Sequence, residues 1–315
     1  MIKSSGQYMY AVNYYEYEEV LCSIEMKYLF HMKMDSKIFS SPLKINPCVS
    51  PFIKSRLEIE YVCDQLESVK AFVSKYQMSG KDYDIKYLKL IRGDEYAQTR
   101  NTLCKTVAEH IPHVRNFKDP ELLFGITYYE NKWYFGKLLK NDYVWRTHNN
   151  RPYTYSNSLK INLAKVLINI AGEGDTNKTI IDPCCGAGTV LLEGAYAGYA
   201  MTGSDISRKT SWNALRNLQH FGYDIPITQK AIEDIDSHYD ACIIDLPYGL
   251  YSQTSPQAQL SIIENAKRIA NRVVIVSSED IKEMIHKSGL EVTDVCKLIK
   301  TVNRDFTRYI WVCES

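Results

Sequence analysis

Thr179 to Thr189 reads TIIDPCCGAGT, and this stretch constrains the chain more than any other. Ile180 and Ile181 make a short apolar run, as a buried parallel strand requires. Asp182 closes it. Gly186 and Gly188 let the backbone turn sharply and approach a ligand with no Cβ in the way. Val190 to Ala197, rich in leucine and small residues, continues as a helix. A strand, a glycine loop and a helix N-terminus in that order can bind the anionic end of a nucleotide-like ligand. A dinucleotide fingerprint would place a third glycine at 191, where Leu191 stands instead. The plain alternative is an ordinary strand-turn-helix.

At 315 residues the chain has room for two domains, or two and a small module. An apolar content of 45% sustains a packed core and excludes a disordered chain. The net charge of +1 excludes an overall polycation but not a local basic face. No apolar run approaches a membrane span and the N-terminus has no signal-peptide pattern, so no membrane partner is expected. Nine cysteines are scattered, odd in number and never spaced as CxxC. They read as reduced thiols of a cytoplasmic protein, with neither a disulfide framework nor a metal site.

Along the chain, residues 7–15 suggest a strand, Glu16 to Phe30 an amphipathic helix, and 38–46 and 52–62 two more strands. Pro42 falls inside the first of these and demotes it to an edge or broken strand. Gln65 to Tyr76 suggests a second helix and Tyr83 to Ile91 a strand. Strand-helix-strand-strand-helix is the order of a ferredoxin-like α+β unit, expected over residues 1–83. A helix from Tyr96 to Ile111 and a strand pair, Leu122 to Tyr129 and Lys132 to Leu139, follow. Residues 141–157 are polar and suggest a linker. Ser158 is then a candidate N-cap for a helix through Ala171. From there to residue 315 strands and helices alternate, which argues a doubly wound, mostly parallel sheet, with two closing strands forming a hairpin at one edge.

Two further features bear on chemistry. Asp205 ends the strand after the glycine loop, where a carboxylate's two acceptor oxygens match the vicinal hydroxyls of a ribose. Asp245-Leu246-Pro247-Tyr248-Gly249 directly follows the fourth strand of this alternating series. In open parallel sheets ligands bind beyond the carboxyl ends of the strands, so Asp245 and Asp182 are expected to flank one crevice.

These stretches resemble known families. TIIDPCCGAGT resembles the cofactor loop of S-adenosylmethionine-dependent methyltransferases, in the Asp-Pro-x-Cys-Gly-x-Gly-Thr form of enzymes that methylate base amino groups. DLPYG resembles the Asp/Asn-Pro-Pro-Tyr motif of amino-group methyltransferases, with Leu246 in place of the first proline. DPELLFGITYYENKWYFGKLL resembles the THUMP domain, an RNA-binding module, over residues 84–140. YSNSLKINLAKVLINIAG resembles the helix ahead of the cofactor loop in THUMP-bearing enzymes, with Ser158 near the methionine end of the cofactor. As a whole the chain resembles THUMP-containing RNA methyltransferases, nearest to those forming N2-methylguanosine at position 10 of tRNA.

The resemblance implies a Rossmann-like methyltransferase domain over residues 158–315, with a mostly parallel seven-stranded sheet. Ferredoxin-like and THUMP modules would precede it. It implies S-adenosylmethionine as cofactor, bound by Asp182, Cys185, Gly186, Gly188, Asp205, Ile206, Ile232, Glu233 and Asp245. It implies catalytic roles for Asp245, Pro247 and Tyr248, with Tyr248 stacking on the base and Arg304 and Arg308 touching RNA. One departure stands out: the family's acid for the adenine amino group is replaced by Ala231, with Glu233 or Asp234 as stand-ins. RNA, tRNA first, is the expected partner, and a monomer the expected state. The competing readings are methylation of DNA adenine or protein glutamine, which share the Pro-Tyr motif, and an RNA-binding protein that has lost activity.

Overall fold

The computed structural model describes residues 6–78, 80–89, 94–155, 158–247, 255–299 and 307–315. They form two compact units. One comprises Met1–Asn13, Met34–Pro47 and Phe52–Asp142, the other Tyr14–Lys33, Cys48–Pro51 and Tyr143–Ser315.

The chain opens with β1 (Tyr8–Val12) and helix α1 (Glu19–Phe30). The other strands of the first unit are β2 (Ile38–Ser41), β3 (Ile53–Cys63), β4 (Asp82–Tyr87), β5 (Val114–Arg115), β6 (Leu122–Tyr129) and β7 (Lys132–Lys140). They make one mixed sheet in the order β2-β1-β3-β7-β6-β4-β5. Segments 1–83 and 84–140 therefore share a sheet, because β3 pairs with β7 along most of its length. β2 stops at Ser41, ahead of Pro42, and lies at the sheet's edge, where a missing N–H leaves no ladder bond unmade. Helices α2 (Leu66–Val73) and α3 (Arg100–Ala108) pack Val69, Val73, Leu103 and Val107 against Tyr83, Ile85, Phe124 and Phe135 of the sheet.

α1 belongs to the second unit, not to the first. It packs against α4 (Ile161–Gly172), which is buried nearly all round and carries Lys165 and Asn169 inside that burial. Buried polar groups need partners. Asn169 Nδ2 donates to Glu25 Oε1 of α1 and to the Val49 carbonyl, and Ser50 Oγ donates to Glu25 Oε2 at 2.7 Å. Lys165 Nζ donates to the Cys48 carbonyl and pairs with Glu193 at 3.2 Å. His148 Nδ1 lies 2.7 Å from the other Glu193 oxygen. His148 and the buried Trp145 sit in a 3-10 turn, Val144–Asn150, so much of the polar stretch expected as a linker is packed into this unit.

The second unit is built on β8 (Thr179–Asp182), β9 (Ala200–Ser204), β10 (Ile227–Thr228), β11 (Tyr239–Asp245), β12 (Ala270–Ser277), β13 (Glu291–Ile299) and β14 (Thr307–Glu314). Their order is β10-β9-β8-β11-β12-β14-β13. β8 pairs in parallel with β9 and β11, and β11 in parallel with β12; among the described strands only β14 runs antiparallel, inserted between β12 and β13. Ile180, Ile181, Ile243, Ile244 and Val273 to Val276 are buried, as strands covered on both faces require. Helices α5 (Thr189–Ala197), α6 (Arg208–His220), α7 (Pro256–Ile269) and α8 (Lys282–Ser288) complete the unit. Strand order reverses between β8 and β11, and that switch point is where such sheets open a crevice. Among the described residues no helix is long and apolar enough to cross a membrane.

Candidate active site

Three acids stand at the carboxyl ends of three neighbouring strands. Asp182 ends β8, Asp245 ends β11 and Asp205 follows β9 directly. Two adjoining cavities open there, both within the second unit. One, of about 200 Å³, runs along the glycine loop past Tyr155, Ser158, Asp182, Gly186 and Thr189. The other, of about 480 Å³, passes Asp205, Ile206, Ala231, Ile232 and Glu233 to Pro247 and the α7 residues Ala258, Ser261 and Ile262. Cys184 and Asp245 line both.

The loop geometry follows from its glycines. Gly186 and Gly188 have φ of +53° and +74°, a region other residues rarely adopt. A Cβ at Gly186 would meet nothing nearer than the Cys184 carbonyl at 4.0 Å, so that side of the loop is open space. A Cβ at Gly188 would lie 3.1 Å from Ala214 Cβ. Gly188 thus serves helix packing and lines neither cavity, whereas Gly186 faces one. Cys185 lines the smaller cavity, with its N–H donated to the Ser204 carbonyl.

Asp205 accepts the Gly186 N–H on Oδ2 at 3.0 Å and the Ser207 N–H on Oδ1 at 2.9 Å. Each oxygen keeps a lone pair for a hydroxyl donor. Asp182, 4% exposed, accepts the Cys184 N–H at 3.2 Å. Burial pushes its carboxyl up to about 8, and the charges of Asp245 and Asp205 push the same way. Burial lifts Asp245 to about 6, with the Arg308 guanidinium pulling it down. Asp245 Oδ1 is buried with no hydrogen-bond partner among the described residues. That orphaned acceptor, beside the open flank at Gly186 and the spare acceptors of Asp205, fits a cationic adenosyl cofactor with an amine arriving next to it.

Two side chains absent from the sequence reading shape this crevice. Gln259 Nε2 of α7 donates to the Pro247 carbonyl at 2.9 Å. Arg268, also of α7, donates to the carbonyls of Ile235 at 2.7 Å and of Ile232 and Glu233 at 3.2 Å, pinning the loop beside the larger cavity. Ala231, where the resemblance implies an acid for the adenine amine, lines that wall together with Glu233. Ser158 is not the cap of α4, which begins at Ile161 behind Lys160; its Oγ instead accepts the Tyr155 N–H, closing a turn at the end of the smaller cavity. The spacing of Ala258 and Ile262 on α7 is the signal that could have found this wall. Tyr248 and Arg304 lie outside the described residues.

The chain is similar in sequence to known methyltransferases. Residues 148–298 match the family described as UPF0020, RMKL-like methyltransferase domain. Over 108 residues the chain is 32% identical to the tRNA (guanine(10)-N2)-dimethyltransferase of Methanothermobacter thermautotrophicus, covering 33% of this chain and 32% of that protein. Over 218 residues it is 26% identical to the tRNA (guanine(10)-N2)-dimethyltransferase of Methanocaldococcus jannaschii, covering 60% of each. A match of 27% over 139 residues, 41% of this chain and 28% of the other, links it to the U6 snRNA (guanine-N(2))-methyltransferase THUMPD2 of Bos taurus. The chain thus spans 32% and 60% of the length of the two archaeal relatives. Strand order and crevice accord with that match: residues 148–298 are similar to a methyltransferase domain of the RMKL-like kind.

Proposed function

We propose that this chain transfers a methyl group from S-adenosylmethionine to the exocyclic N2 amine of a guanine in RNA, with tRNA as the first candidate. The observation that carries the reading is Asp245 Oδ1, a buried acceptor without a partner among the described residues, on the wall common to both cavities. The cofactor supplies an electrophilic methyl on a sulfonium. Asp205 would hold the ribose hydroxyls, Ile206, Ile232 and Glu233 the adenine, and Asp182, Cys185 and Gly186 the methionine end.

An exocyclic amine is a poor nucleophile, because its lone pair is delocalised into the ring. Asp245 and the Pro247 carbonyl accept its two N–H bonds and favour a tetrahedral nitrogen whose lone pair is free to attack. The amine's lone pair would take the methyl that the sulfonium gives up, leaving a neutral thioether, and the Asp245 carboxylate would take the amine proton. Tyr248 supplies a stacking face for the base, which must leave its own stack to reach Asp245. The Arg308 guanidinium pulls the Asp245 carboxyl down against burial, and Arg304 and Arg308 are assigned to contact the RNA.

RNA is favoured as substrate because the named relatives act on guanine N2 in tRNA or U6 snRNA. The first unit, with its THUMP-like wording over 84–140, is read as the RNA holder, acting mainly through phosphates. Nine free thiols support a reducing, cytoplasmic setting, and we take the chain to act as a monomer. The test offers the full chain and labelled cofactor three substrates: bulk tRNA, duplex DNA and a glutamine peptide. N2-methylguanosine by mass analysis of digested tRNA supports the reading. Label on adenine or glutamine alone, or no cofactor binding, overturns it.

A further inference from the structure

The outer face of α6 is unlike the rest of the second unit. The helix reads RKTSWNALRNLQH and contains no acid. Its exposed positions are Arg208, Lys209, Trp212, Arg216, Gln219 and His220. Arg208, Trp212 and Arg216 recur at a spacing of four, so they form one stripe along the helix. In a chain of net charge +1, three cations with no interspersed carboxylate on this face are a local concentration.

Trp212 is the anomaly. Trp133, Trp145 and Trp311 are 2–3% exposed, whereas Trp212 is 47% exposed. Large aromatic surface left in water marks a binding face. It is also held in place. The Arg216 guanidinium lies 5.1 Å from its ring centroid, and the Tyr153 ring meets it edge-on at 5.3 Å. Tyr153 is clamped in turn by fully buried Asn217, which accepts its N–H at 3.0 Å and donates to its carbonyl at 2.8 Å. Asn213, one turn earlier and also buried, bonds the Tyr155 hydroxyl. Tyr155 lines the smaller cavity, so the platform adjoins the crevice.

We propose that this face is an RNA-binding surface on the methyltransferase domain itself. Trp212 stacks on an unpaired base, and Arg208, Lys209 and Arg216 contact the flanking phosphates. Single-stranded nucleic acid is recognised by this combination of a sequence-tolerant aromatic face and a cationic track. A protein partner is disfavoured because its interface would be expected to offer charges of both signs. The inference rests on the reading of the substrate as RNA and adds to it a second anchor, close to the chemistry.

The single exposed tryptophan gives a direct readout. Full-length wild type, Trp212→Ala, Trp212→Phe and the double variant Arg208→Ala, Arg216→Ala are titrated with bulk tRNA over a range of salt, and separately with S-adenosylmethionine. Trp212→Ala should weaken tRNA binding by about 5- to 150-fold, while Trp212→Phe keeps most of the affinity. The double variant should lower the slope of log affinity against log salt by roughly 1.5. Cofactor affinity should stay at the wild-type value in all three. In the wild type, tRNA should shield from acrylamide the fluorescence that Trp212 contributes. Variants that bind tRNA with wild-type affinity and salt slope, or a Trp212 left fully quenchable in the complex, overturn this proposal alone. A wild-type protein that binds no tRNA overturns it together with the proposed function.

Discussion

Asn169 Nδ2 and Glu25 Oε1 meet at 2.6 Å, joining α4 to a helix 144 residues earlier in the chain. The Glu25 carboxyl is fully buried, and burial pushes it up to about 7 from an ordinary value of 4.5, against the pull of Ser50, Asn169 and Lys165. The folded state therefore holds this proton more tightly than the unfolded chain does. Its contribution is full below about pH 4.5 and is lost as pH rises through about 7. The loss is on the order of 3 kcal/mol. Glu25→Gln should remove that slope, so denaturation at pH 5 and pH 8 should show the wild type losing more stability than the variant. Parallel slopes for the two proteins would mean that Glu25 does not titrate in this window.

The acids of the crevice give the opposite pH dependence for cofactor binding. Burial lifts Asp182 and Asp245 to about 8 and about 6. A cationic sulfonium favours their ionised forms, so affinity should rise between pH 6 and 8 with release of protons. Calorimetry in buffers of different ionisation heat measures that release. Asp182→Asn should flatten the rise above pH 7. An affinity independent of pH in the wild type would contradict this electrostatic account.

Gln259 holds the Pro247 carbonyl at 2.9 Å, and that carbonyl is one of the two acceptors assigned to the amine. Gln259→Ala should lower the methyl-transfer rate by about 2- to 12-fold, the worth of one neutral hydrogen bond, and leave cofactor affinity alone. Gln259→Glu sets a carboxylate against the carbonyl and should cost more. A loss seen only in RNA affinity, with the rate at saturation intact, would assign Gln259 to docking instead.

The two loop glycines should separate stability from binding. Gly188→Ala forces a side chain into the left-handed region and 3.1 Å from Ala214 Cβ. It should destabilise the fold by roughly 1–3 kcal/mol. Gly186→Ala places its methyl in open space within the crevice, so it should weaken cofactor binding beyond any loss of stability. Denaturation and cofactor titration on both variants check this. Equal cofactor affinity in Gly186→Ala and wild type would remove the loop from the binding site.

Much of this was legible in the sequence, for local reasons. Ile180 and Ile181 ahead of Asp182, and ACII ahead of Asp245, are apolar runs closed by acids, and the sheet's switch point brings their ends together. What was not legible depends on pairs distant in sequence. Glu25, Lys165 and Asn169 look like solvated helix positions until their partners at 50, 193 and 25 are seen, so nothing local to α1 marks it as part of the second unit. Residues 141–157 read as a linker because polar letters hide the buried Trp145 and His148. Arg268 gives no local signal either, since its partners are backbone carbonyls some 35 residues away.

The central claim is that Asp245 receives the amine. The most direct measurement is single-turnover methyl transfer to tRNA by Asp245→Ala, with the variant saturated in cofactor. The carboxylate's value peaks as the nitrogen turns tetrahedral, so the rate should fall by roughly 2–4 kcal/mol, or about 30- to 900-fold. Asp245→Asn, with one acceptor oxygen left, should fall between the two. Transfer by Asp245→Ala at the wild-type rate would contradict the account.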